Sequence, residues 1–427
     1  MAIKPTIIPR DQHIISRSNI SDNALTVLRR LKKAGYEAYL VGGGVRDLLL
    51  GREPKDFDVA TDASPEQVKQ TFNNCRLIGR RFRLAHIHFG REIIEVATFR
   101  GNHSDQGEEI SRQSDEGMLL RDNVFGTIEE DAIRRDFTVN ALFYNIRDFT
   151  IVDYVDGVKD IEAGHLRLIG DPETRYREDP VRMLRAARFA AKLGFTIDTE
   201  TAEPIPGLAY LLEDVSSSRL FEEVLKLFLG GSAVHTFEKL RQYGLFAQLF
   251  PQTEKALEFE DHDFPIQFVM KGLINTDKRI REGKPVTPAF LFAVFLWESV
   301  RNLFNEKLQI QKVAQTAMFD AADQVLARQL PIISIPRRFT GQMKEIWNMQ
   351  LRLEKSRSNN RAKKLIEHPR FRAAYDFLLL RAESGEVEQE QADWWTSFQD
   401  NPDIELPKKS GRRGYRNRKR KPKQKPS

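Results

Sequence analysis

The sequence predicts an α+β head, an all-helical body behind it and a basic tail, and three observations carry that prediction. Up to about Asp171, short strand-like runs alternate with short amphipathic helices, punctuated by glycines. Beyond Asp171, apolar residues recur at helical spacing almost without a break. From Lys408 to the end there are eleven Lys and Arg and no Asp or Glu.

Taken in order, residues 1–21 form an irregular lead-in. Leu25, Leu28 and Leu31 fall on one face of a helix over residues 22–33, which Gly35 stops. Residues 36–41 have strand composition, and Gly42-Gly43-Gly44 leads into a short helix over 45–50. A second strand spans 57–60. Ser64-Pro65-Glu66-Gln67 is a capping box with Pro at the first helical position, so a helix runs to about Phe72. Strands follow at 76–78, 84–89 and 92–99, the last two flanking Gly90 as a hairpin. Residues 101–120 are polar and predict a mobile loop. Thr127-Ile128-Glu129-Glu130 is a second capping box, and strands at 142–146 and 151–154 close the head. The helical part begins with 180–193, ended by Gly194, and continues at 220–229, 237–243, 290–304, 312–327 and 373–381.

The net charge of +6 conceals an asymmetry. Eleven of the 67 basic residues lie beyond residue 407, leaving 56 basic against 61 acidic residues in the rest. Such an arm attracts phosphate backbones by counterion release without reading sequence, which makes Arg412, Arg413 and Arg416 candidate RNA-binding residues. A solubilising disordered end has the same composition. The single cysteine, Cys75, excludes an intramolecular disulfide and a multi-cysteine zinc site. No segment has a signal-peptide core or approaches the ~18 uninterrupted apolar residues of a membrane span, so a cytoplasmic protein is expected.

The chemistry concentrates in Leu40-Val41-Gly42-Gly43-Gly44-Val45-Arg46-Asp47, followed by Asp56-Phe57-Asp58. Glycines between a strand and a helix let the backbone approach a triphosphate, and Arg46 can add a charge-assisted bond. Asp56 and Asp58 have the two-residue period of a strand, which puts both carboxylates on one face. Two such carboxylates repel each other unless a divalent cation stands between them. Mg²⁺ (or Mn²⁺), in a two-ion site, suits oxygen ligands and nucleotide phosphates. Each half has a bland counterpart, a tight turn or a surface Asx cap; their order and spacing together favour the site. Glu95 and Asp136 are both candidates for a third acid, and physics alone leaves that choice open.

LVGGGVRDLLLG with DFDVAT resembles the opening motif of the class II polymerase-β-like nucleotidyltransferases, the group of CCA-adding enzymes and bacterial poly(A) polymerases. Arg134-Arg135-Asp136-Phe137-Thr138-Val139-Asn140-Ala141-Leu142 is similar to that group's second motif. The resemblance gives Asp136 the third acidic role, ahead of Glu95. It assigns the incoming base to Asp179 and Arg182, in Glu178-Asp179-Pro180-Val181-Arg182. Without the resemblance, Asp179 would be an N-cap, and Arg182, Arg185 and Arg188 a solvated basic face. The segment Gly79-Arg80-Arg81-Phe82-Arg83-Leu84 resembles the bacterial poly(A) polymerases in particular, with Arg80, Arg81 and Arg83 as further RNA contacts.

Taken together, the resemblance implies an α+β nucleotidyltransferase head, a small mixed sheet with helices, followed by an all-α neck and body and a disordered basic C-terminal tail. The expected boundaries are 1–21 lead-in, 22–172 head, 173–260 neck, 261–405 body and 406–427 tail. The expected activity is template-independent addition of AMP from ATP to single-stranded RNA 3′ ends, with Mg²⁺. A CCA-adding enzyme and a non-catalytic RNA-binding protein on the same scaffold are the alternatives.

Overall fold

A computed structural model describes residues 4–79, 83–101, 111–113, 119–122, 125–258, 264–355 and 359–400. The chain divides into two compact units, Met1–Pro251 and Gln252–Ser427.

The first unit is built on an eight-stranded sheet. Its strands are β1 (Thr6–Ile8), β2 (Ala38–Val41), β3 (Asp58–Thr61), β4 (Cys75–Ile78), β5 (Leu84–Phe89), β6 (Glu92–Thr98), β9 (Leu142–Tyr144) and β10 (Ile151–Asp153); β7 (Ser111–Gln113) and β8 (Leu119–Asp122) form a separate antiparallel pair. The spatial order is β1-β10-β9-β2-β3-β6-β5-β4. One pairing, β3 with β6, is parallel within this sheet; the others are antiparallel. Strand interiors such as Leu40, Val59, Ile87 and Phe143 are fully buried, the alternation expected of a sheet covered by helices.

The lead-in departs from expectation. Its residues Thr6–Ile8 pair with β10 and form an edge of the sheet, because Ile8 can be buried there. The loop expected over 101–120 contains part of the β7–β8 pair; residues 102–110, 114–118 and 123–124 lie outside the described residues. Both capping boxes form. Ser64 and Gln67 exchange side-chain and backbone bonds at the start of α3 (Pro65–Thr71), and Thr127 and Glu130 do so at α4 (Ile128–Arg134).

The other helices that matter for the site are α1 (Asp22–Lys33), α2 (Gly43–Leu49), α5 (Gly157–Ala163), α6 (Pro172–Glu178) and α7 (Val181–Leu193). α7 ends on Gly194 at φ 76°, the left-handed stop its sequence predicts. Gly157 opens α5 tight against the Thr138 carbonyl, where a side chain would collide. That contact fixes the loop after α4, and Thr138 donates a further bond to Asp160 at 2.7 Å. Helices Ser217–Phe228 and Ala233–Gln242 complete the unit.

Among its described residues the second unit is all-helical, ending at Gln389–Gln399, with Trp297, Trp347 and Trp395 in its core. Phe371 and Tyr375 belong to an apolar cluster with Trp395 and Leu378. Arg412, Arg413 and Arg416, with the whole expected tail, lie outside the described residues. Among the described residues, no helix is long and apolar enough to cross a membrane.

Candidate active site

β2 turns sharply into α2 through Gly42, at φ 68° and ψ −133°, a conformation open to glycine alone at low cost. A side chain there would press on the Arg135 guanidinium at 3.3 Å. Gly43 and Gly44 begin the helix. Arg46, one turn on, does not reach outward as expected. It is 2% exposed, donates from Nε (2.9 Å) and Nη2 (2.6 Å) to Asp47 and from Nη1 to Asn140 (2.6 Å), and lies over Phe189. Three of its donors are spent inside the protein, so it braces the turn rather than presenting a charge to a phosphate.

The next strand carries the acids. β3 pairs antiparallel with β2, setting Asp58 opposite Val41, and parallel with β6, setting Asp58 beside Glu95. Asp56 precedes the strand and is exposed. Glu95 is held on its other side by His86 of β5, its antiparallel partner, at 3.1 Å between Nε2 and Oε2. Burial first, and then the neighbouring Glu95 charge, push the Asp58 carboxyl up to about 6, against the pull of Arg135. Asp58 is a carboxylate short of positive charge.

Asp136 sits differently. Its oxygens take Arg185 (Nε 2.7 Å), Asn140 (Nδ2 3.2 Å) and the Phe137 amide (2.9 Å). Burial is the largest single influence and raises its pKa, but the Arg185 charge and these hydrogen bonds together hold it at about 2. The third acid implied by resemblance was Asp136; the register places Glu95, not Asp136, next to Asp58, and Asp136 is already neutralised. A chain of side chains, Asp47–Arg46–Asn140–Asp136–Arg185, links α2 through the α4 loop to α7.

Above the acids opens a cleft of ≈360 Å³, lined by Asp58 and Glu95 on the sheet and by arginines on the helices. These arginines are matched. Arg135 bonds Asp131 at 2.9 Å; Arg175 bonds Glu178 at 2.7 Å and the carbonyls of Arg134 and Arg135. Arg182 shares Glu178 at 2.9 Å, and Arg219 pairs with Asp179 at 2.8 Å. Asp179 therefore does not cap α7, whose N-cap is Pro180 with no side-chain bond. Arg182, Arg185 and Arg188 are half-buried and do not form a solvated face.

Asp58, Asp136, Asp179 and Arg182 thus meet in one cleft. Asp56 precedes β3, while Gly42 and Gly43 follow Val41 of β2, the residue opposite Asp58. Arg83 does not join them; it is exposed and paired with Glu66 at 2.6 Å. Arg80 and Arg81 lie outside the described residues. Arg219, missed in the sequence, is 40 residues from its partner and carries no local signal. Glu95 does carry one, as the acidic interruption of the apolar run Ile93–Ala97.

Among the described residues, no three His, Cys, Asp or Glu side chains close into a complete metal cage. The acids nevertheless fit a divalent ion whose remaining oxygens come from the substrate, because burial and then two neighbouring carboxylates raise Asp58, and among the described residues no cation is bonded to it.

Residues 38–167 match the poly A polymerase head domain, residues 194–257 the probable RNA and SrmB-binding site of polymerase A, and residues 311–426 the polymerase A arginine-rich C-terminus. Poly(A) polymerase I of Salmonella typhimurium is 55% identical over 399 residues, covering 92% of this chain and 86% of that protein. The CC-adding tRNA nucleotidyltransferase of Halalkalibacterium halodurans is 37% identical over 228 residues, 53% of this chain and 54% of that protein. Among solved structures, the Bacillus stearothermophilus CCA-adding enzyme in complex with CTP superposes with a TM-score of 0.58 at 25% identity, over 88% of this chain and 80% of its own. The CCA-adding likeness in sequence stops at about half the chain, whereas the likeness to poly(A) polymerase I runs through nearly all of it. The chain belongs to the bacterial poly(A) polymerase I family.

Proposed function

We propose that the chain adds AMP from ATP to single-stranded RNA 3′ ends without a template, releasing pyrophosphate, and that Asp56, Asp58 and Glu95 hold the divalent ions. The observation carrying this reading is the β3–β6 register, which sets Asp58 and Glu95 side by side at the floor of an arginine-walled cleft. Bound Mg²⁺ would activate the attacking 3′-hydroxyl and neutralise charge on the departing pyrophosphate. His86 holds Glu95 in place. The Gly42–Gly43 turn lets the backbone come close to the triphosphate, and Arg46 and Asn140 keep that turn rigid from beneath.

Asp179 and Arg182 face the base. A carboxylate accepts from the adenine amino group while a guanidinium donates to the ring nitrogen beside it, so adenine can be read without a template. Arg219 and Glu178 fix the two side chains. Asp136, with its charge matched by Arg185, acts as a strut between head and neck. The head (22–172) would carry the chemistry and the neck (173–260) the choice of base. The body (261–405) and the tail (406–427), with Arg412, Arg413 and Arg416, would hold the RNA. This reading places the chain in the cytoplasm, where ATP and RNA 3′ ends meet.

Incubation with Mg²⁺ and one nucleoside triphosphate at a time, on a generic RNA and on a tRNA lacking its CCA end, tests the reading. Long tails from ATP alone on the generic RNA are expected. CTP incorporation confined to the tRNA would replace the reading with CCA addition, and no incorporation at all would leave an RNA-binding protein.

A further inference from the structure

Five cations outside the catalytic cleft gather at the far end of β2. Arg17, Arg29, Lys32, Lys33 and Arg147 line a second depression of ≈680 Å³, with Tyr36 at its rim. They come from three segments: the lead-in, α1, and the turn between β9 and β10. β2 meets this depression at Ala38 and Tyr39 and the catalytic cleft at Val41. The two sites are thus roughly 10 Å apart along one short strand.

Charge is handled differently here than in the cleft. Among the described residues, none of the five is ion-paired with a carboxylate; Arg17 lies over Phe149 at 4.6 Å, and Lys32 bonds the Asn145 amide oxygen. Two acids stand nearby. Asp148 turns its oxygens to Thr150 and Asn145, and Glu37 is exposed. Lys32 and Lys33 occupy the last turn of α1, where cations answer the helix dipole. That explanation covers neither Arg17 nor Arg29 nor Arg147. Like charges held together without counter-charges repel one another, and they do so here on a chain whose residues 1–407 are net acidic.

We propose that this depression binds the phosphate backbone of single-stranded RNA, holding the strand upstream of the 3′ end that occupies the catalytic cleft. The inference rests on RNA being the substrate. The cations come from three separate segments, and the adjoining helix end is a C-terminus, which offers no amide cradle to a compact anion. A polymer with a charge at every residue meets spread cations one by one, and Tyr36 supplies an aromatic edge among them.

The test is RNA affinity of the full chain without Mg²⁺ or ATP, so that it does not depend on catalysis. Arg29, Lys33 and Arg147 are all exposed, and they are changed together to Glu in one variant and to Gln in another. Labelled oligoadenylates of about 5 and about 20 nucleotides are compared by fluorescence anisotropy, the shorter fitting within a single groove. Unchanged thermal midpoints verify the fold. The expected result is about tenfold weaker binding of the long oligomer by the Glu variant, a smaller loss with Gln, and a salt slope reduced by about 2, the worth of three phosphate contacts on a single strand. The short oligomer should bind as before. Unchanged binding of the long oligomer, or an equal loss at both lengths, would overturn the proposal. So would a calorimetric site for inorganic tripolyphosphate that disappears in the variant while RNA binding is kept. If the wild-type chain fails to transfer AMP yet shows the length-dependent loss, the functional reading falls and this site stands.

Discussion

Asp58 and Asp136 line the same cleft, yet one is pushed up to about 6 and the other held at about 2. Asp58 stands at the strand end, beside Glu95 and Asp56, with Arg135 the main charge pulling the other way. Asp136 stands at the helix end, where Arg185 and two hydrogen bonds complete it. Both motifs are acidic and both reach the site, so composition alone cannot tell them apart. Unmatched negative charge suits a cation brought in with the substrate. Matched charge suits a wall that must keep its shape while nucleotides come and go.

The contrast can be broken most forcefully at the strand end. Asp58→Ala should lower AMP incorporation by on the order of 10³-fold, through loss of a metal ligand, with no fall in melting temperature. Normal tailing by that variant would remove the metal site from the account. His86→Ala should weaken Mg²⁺ dependence by about tenfold, the lower end of what outer-shell partners contribute. His86→Gln, which can still donate to Glu95, should recover most of it. An apparent Mg²⁺ affinity unmoved by His86→Ala would show that Glu95 needs no support from β5.

At the helix end the expected effects are structural. Asp136→Asn should destabilise the first unit by about 3 kcal/mol in denaturant unfolding, a low value for a broken buried pair because Arg185 is a third exposed. The same pair predicts a pH dependence. Asp136 is depressed in the folded chain, so its stabilisation is present above about pH 4 and is lost as pH falls towards 2. Asp58 runs the other way: raised in the folded chain, it makes the metal-free protein less stable as pH climbs from about 4 to about 6. Mg²⁺ should therefore raise the melting temperature more at pH 7 than at pH 5. Equal shifts at both values would mean that Asp58 is not among the ligands.

How much of this was visible in the sequence depends on range. Local signals held: both capping boxes, the stop at Gly194 and the Gly42 turn appear where the residues predict them. The acidic pair at Asp56 and Asp58 was equally plain. What escaped was set by partners far along the chain. Arg46 is drawn inward by Asn140, 94 residues away, and Asp179 by Arg219 rather than by the helix it precedes. Thr6–Ile8 becomes a strand because β10 offers an edge. That Glu95 lies beside Asp58 is a matter of strand register, and no spacing rule states which strand will lie beside β3.

The most direct test of the account is Mn²⁺ binding, followed by electron paramagnetic resonance in the presence of ATP and the absence of RNA, for Glu95→Gln and Asp136→Asn beside the parent chain. Glu95→Gln is expected to lose binding by about tenfold or more, while Asp136→Asn keeps the parent affinity at neutral pH. Loss in Asp136→Asn with Glu95→Gln unaffected would contradict the assignment and return the third acid to Asp136.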